Sequence, residues 1–76
     1  MSKGVTATMV NRGVRKYWGI TIRVYTVYDK CGKEIGCVEQ VLSGDDKGKV
    51  FCYALTCQHN RNYIQRVYNY YTHKED

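Results

Sequence analysis

A chain of 76 residues, 43% hydrophobic and 25% charged, has enough apolar matter for one domain burying about 60% of its unfolded surface, and too little for a substrate cleft between two lobes. The composition excludes global disorder, and no window approaches the roughly 18 uninterrupted apolar residues of a spanning helix; residues 1–76 therefore read as one water-soluble domain, not membrane-bound, untargeted and expected in the cytoplasm. The net charge of +5 is concentrated: residues 1–33 hold seven Lys and Arg against Asp29 alone, residues 34–76 five against six acids, and such an excess suits a polyanion or an acidic protein surface.

In chain order, "VTATMV" (5–10) alternates modestly and "NRG" (11–13) is a good turn, because Asn and Gly tolerate positive φ; together they predict a first hairpin. From Lys16 to Tyr28 the period is strictly two, with Trp18, Ile20, Ile22 and Val24 on one side and Tyr17, Thr21, Arg23 and Tyr25 on the other, so one strand bent at Gly19 is expected. "DKCGK" (29–33) reads as a turn, "EIGCVEQVL" (34–42) as a strand, "SGDDKG" (43–48) as a loop and "KVFCYALTC" (49–57) as a strand. After Cys57 the period lengthens to that of a helix, with Tyr63, Ile64, Val67, Tyr68 and Tyr71 in one stripe, Thr56 or Asn60 as cap, and His73 and Lys74 suited to the negative end. The fold class is thus α+β: a small antiparallel meander of three to four strands with a carboxy-terminal amphipathic helix on one face.

A register follows if Tyr28 opposes Glu34 and Leu42 opposes Lys49. The core face then collects Trp18, Ile20, Ile22, Val24, Val38, Leu42, Phe51, Tyr53 and Leu55. The other face shows Thr21, Arg23, Tyr25, Cys37, Glu39, Val41 and Cys52, with Arg23 paired across the strands to Glu39.

Chemistry-bearing motifs are scarce. Cys31, Cys37, Cys52 and Cys57 are spaced C-x5-C and C-x4-C, without the tight knuckle that tetrahedral zinc draws on, so free thiols are expected, with nested 31–57 and 37–52 disulfides as the alternative and no metal or other cofactor. Cys57 and His59 are two residues apart and lack an orienting third group. "GDDKGKV" (44–50) has three residues between its glycines where a phosphate loop has four, and Val50 where that loop has Ser or Thr. The chain reads as no enzyme but a basic binding module.

Strands such as "GVRKYWGITIRVY", followed by a helix over residues 14–71, resemble in element order the sheet-plus-helix DNA-binding domains of some phage and transposon integrases and some plant transcription factors; no diagnostic motif of those families is matched. That resemblance implies nucleic-acid (DNA or RNA) reading by the outer sheet face, with Arg23 and Tyr25 on it and Arg12, Arg15, Lys16, Lys30 and Lys33 at turns and edges on phosphate. A second expectation, from size and composition, is a phage- or plasmid-type inhibitor or adaptor binding a host nucleic-acid-processing enzyme, since Tyr and Arg dominate protein interfaces.

Overall fold

The computed structural model describes residues 6–57 and 59–72. Four strands, β1 (Thr8–Tyr17), β2 (Ile20–Tyr28), β3 (Glu34–Val41) and β4 (Val50–Ala54), form one antiparallel sheet in chain order, and helix α1 (Arg61–Thr72) follows. This is the expected α+β meander with its carboxy-terminal helix. Asn60 caps α1, its Oδ1 accepting from the Tyr63 N–H at 3.0 Å. The helix crosses the sheet from β4, where Cys52 Sγ donates to Gln65 Oε1 at 3.4 Å, to the start of β1, where Tyr71 OH donates to the Ala7 carbonyl at 2.9 Å. Its stripe of Ile64, Val67 and Tyr68 is buried, as the period demands. His73 and Lys74 lie outside the described residues.

The first reversal falls elsewhere than "NRG". Asn11 Oδ1 accepts the Gly13 N–H at 2.8 Å, Gly13 takes φ 102°, and Arg12 becomes the extra residue of a bulge that bends β1 without ending it. The chain turns back instead at Trp18 and Gly19, whose φ values of 32° and 85° meet the two-positive-φ requirement of a tight hairpin closed by the pair Tyr17↔Ile20. The segment read as one bent strand is therefore the end of β1, a turn and β2. Left-handed backbone at a tryptophan is uncommon, so of the two turn residues only Gly19 signals the reversal.

The register differs by one residue. Tyr28 does oppose Glu34, but Ile35 is then extra, and from Val27↔Gly36 onward every pair is shifted: Tyr25 faces Val38 and Arg23 faces Gln40, not Glu39. Strands β3 and β4 pair Val38 with Cys52, again one step from the expected Leu42 opposite Lys49. Because side chains alternate, a one-residue slip exchanges the two faces of a strand. Residues paired across a ladder share a face, so the helix-covered side carries Tyr25, Val27, Gly36, Val38 and Cys52, packed with Ile35, Ile64, Val67 and Tyr68. Of the nine expected core residues only Val38 is in this core. Ile22 is buried on the far face, opposite Val41; Ile20, Phe51, Tyr53 and Leu55 are exposed, and Trp18 is fully exposed at 102%.

Candidate nucleic-acid interface

Strand β1 is an edge strand, and α1 reaches only its beginning, so the distal half of the β1–β2 hairpin is uncovered by the helix. Val14, Arg15, Lys16, Tyr17, Trp18 and Ile20 are all exposed there. On the side that α1 shares, Val14 pairs with Arg23 and Lys16 with Thr21; on the other, Arg15 pairs with Ile22 and Tyr17 with Ile20. Thr21 marks where the body of the domain begins, because its carbonyl accepts the Leu42 N–H at 2.7 Å and its N–H donates to Ser43 Oγ at 3.1 Å. Between Thr8 and Tyr28 the hairpin holds Arg12, Arg15, Lys16 and Arg23 and no acidic residue. Cations without intervening carboxylates, beside an exposed tryptophan and tyrosine, make a surface suited to phosphate and to stacked rings.

The seven residues singled out from the sequence separate into three groups. Arg12, Arg15, Lys16 and Arg23 are brought together on the hairpin, although on both faces and the edge rather than on one outer face. Arg23 is not paired with Glu39; its Nη1 donates to Gln40 Oε1 at 3.4 Å. Tyr25 lies under the helix, its ring 6.0 Å from that of Tyr68 in an edge-to-face contact and its hydroxyl donating to Gln40 Oε1 at 3.5 Å, so it belongs to the core and not to an outer surface. Burial, with Tyr25 beside it, pushes the Tyr68 phenol up.

Lys30 and Lys33 stand in the turn between β2 and β3, at the opposite end of a nine-residue strand and so on the order of 25 Å from the hairpin tip. Asp29 organises that turn, its Oδ1 accepting from the Lys33 and Cys31 N–H groups at 2.9 Å each. The bond from Lys33 is the chief reason that the Asp29 carboxyl is held below the usual carboxylate range. Sequence reasoning missed Trp18 as a site residue by assigning it to the core; the available signal was Gly19 directly after it, since an X-Gly pair between alternating segments marks a hairpin.

The thiols form no common centre. Cys37 and Cys52 occupy neighbouring rungs of the β3–β4 ladder but point to opposite faces, which rules out the 37–52 bridge, and all four cysteines are free. Among the described residues no three His, Cys, Asp or Glu side chains are grouped to hold a metal ion. A disulfide-forming reagent is expected to modify the exposed Cys31 and Cys57 quickly and the buried Cys52 slowest of the four; Cys52 reacting in step with Cys31 would mean that α1 does not stay docked. Burial pushes the Cys52 thiol up, so the folded state holds that proton more tightly than the unfolded chain does. The resulting stability is complete below the ordinary thiol range and is lost as pH rises through it, and Cys52→Ala should flatten the decline in melting temperature above about pH 9.

Among the described residues no helix is long and apolar enough to cross a membrane. Comparison with family models, curated proteins and solved structures returns no match to this chain.

Proposed function

We propose that this protein is a small non-enzymatic nucleic-acid-binding module that engages its target with the open end of the β1–β2 hairpin. The observation that carries the reading is an acid-free hairpin that bears four cations along its length and ends in a fully exposed Trp18. Arg12, Lys16 and Arg23 contact phosphate from the free edge and the helix-sharing side, and Trp18, with Tyr17 beside it, stacks on bases. Stacking requires an uncovered base face, so single-stranded DNA or RNA is the preferred target over a duplex of equal length. Lys30 and Lys33, at the far end of the sheet, are outside this contact unless the strand is long.

The test is a salt titration of affinity for single strands. Three phosphate contacts give a log-log slope of about −2, from roughly 0.7 per neutralised phosphate. Replacing Arg12, Lys16 and Arg23 together by Gln flattens that slope, whereas Trp18→Ala keeps it and costs about 1–3 kcal/mol of binding. Absence of binding to single strand and duplex alike at about 50 mM salt, where the electrostatic contribution is strong, overturns the proposal.

The exposed Trp18 also favours a second reading, an inhibitor or adaptor of a nucleic-acid-processing enzyme, because tryptophan anchors are the commonest hot spots of protein interfaces. A partner retained on the protein after nuclease treatment, and released by Trp18→Ala, selects that reading over the first.

A further inference from the structure

Among the described residues no helix or strand covers the sheet face turned away from α1, yet it is the more aromatic of the two. Ile22 and Val41, a cross-strand pair, lie buried toward the end of it where β3 meets the 42–49 loop, and Ile20, Phe51 and Tyr53 stand on the same face, each more than two-fifths exposed. A four-stranded sheet needs both faces covered when both are apolar.

We infer that this face is a homodimer interface, on which two copies of the chain pack sheet against sheet about a two-fold axis. Charge selects a second copy as the occupant. The strands place one cation, Arg15 on β1, and two anions, Glu34 and Glu39 on β3, on this face, so on a chain whose net charge is +5 the face carries a charge of only −1 and meets itself without the repulsion that its basic hairpin side would suffer.

The positions of Arg15 and Glu39 are also self-complementary. Arg15 pairs with Ile22 and Gly13 with Val24, while Glu39 pairs with Val24 from the other side, so the two charges flank β2 and are offset along it by a single two-residue step. A two-fold axis running along β2 carries Arg15 of each copy over β3 of the other, beside its Glu39, and forms the pair twice, as an isologous interface requires. Glu39 Oε1 already accepts from Tyr53 OH at 3.4 Å, which holds the carboxylate among the aromatic rings.

Four strands about 4.8 Å apart, each some 20 Å long, offer on the order of 400 Å² of projected area per copy, so the dimer buries on the order of 1,000 Å² of accessible surface. That is the lower end of specific interfaces and implies a dimer that dissociates on dilution. Lys16 and Arg23 point to the other side of the sheet and stay open in the pair, whereas Tyr17, paired with Ile20, lies on the dimer face; the oligomeric state of the protein free of nucleic acid is therefore the measurement that stands apart from what the hairpins bind.

Sedimentation of the nucleic-acid-free protein across a dilution series tests it, with circular dichroism confirming that every variant is folded. The wild type should pass from dimer to monomer on dilution, and Glu39→Arg should be monomeric over the whole range. The exchange Arg15→Glu with Glu39→Arg restores the opposite charges across the axis and should recover the dimer to within about tenfold in Kd. A wild type that is monomeric throughout overturns the inference and leaves the face to a different protein. So does a dimer that Glu39→Arg leaves intact, or one that the charge exchange fails to restore.

Discussion

Replacing Ile64 by alanine should lower the stability of the domain by about 2–5 kcal/mol, the cost of a fully enclosed isoleucine in a site that collapses only in part. Ile64 has no exposed surface and packs with Ile35, Val38 and Val67, where the helix meets the middle of β3. A domain of this size is held by only about 4–11 kcal/mol in total, so the loss is a large fraction of what keeps α1 docked. Chemical denaturation measures it: the midpoint should fall while the slope stays unchanged, since the surface exposed on unfolding is nearly the same. A loss below about 1 kcal/mol would mean that the helix does not seal the core as described.

Gly36→Ala produces a comparable loss by the opposite route. A Cβ at Gly36 would lie 2.5 Å from Ile64 Cδ1 and 2.6 Å from the backbone oxygen of Tyr53, closer than atoms in folded proteins approach. The isoleucine end can rotate away, but the Tyr53 carbonyl is part of the β3–β4 ladder and moves only with its strand, so overpacking should cost about 1–3 kcal/mol. Combining the two changes separates these contacts. The double variant should be less destabilised than the sum of the singles, because the alanine at 64 frees half of the space, yet it should not match Ile64→Ala alone, because the Tyr53 oxygen remains. Strict additivity would show that Gly36 and Ile64 are not in contact.

Both results depend on which face of the sheet the helix covers, and that was not legible in β2. Ile20, Ile22 and Val24 alternate with Thr21, Arg23 and Tyr25, and the more aliphatic set was the natural choice for the core. Further along the same strand the parity favours the other set, since Val27 shares its face with Tyr25. The candidate site depends on the same parity: Tyr25 lies under the helix, and the turn at Trp18 and Gly19 leaves Arg12, Arg15 and Lys16 on the strand that pairs with Arg23.

The sequence by itself determined the elements that rest on local physics. Helix α1 follows from a 3.6-residue stripe behind an asparagine cap, and the meander follows from runs of period two separated by connections too short for a crossover. The placement of the acid-free hairpin charge is equally a property of the chain. Only the tertiary structure decided inside from outside. Alternation defines two faces without saying which is covered, and one extra residue at Ile35 exchanges them for everything that pairs beyond it. The choice was made by where α1 could dock: over Gly36, the one core position of β3 without a side chain, which leaves room for Ile64 and turns Ile22, Phe51 and Tyr53 to the opposite side.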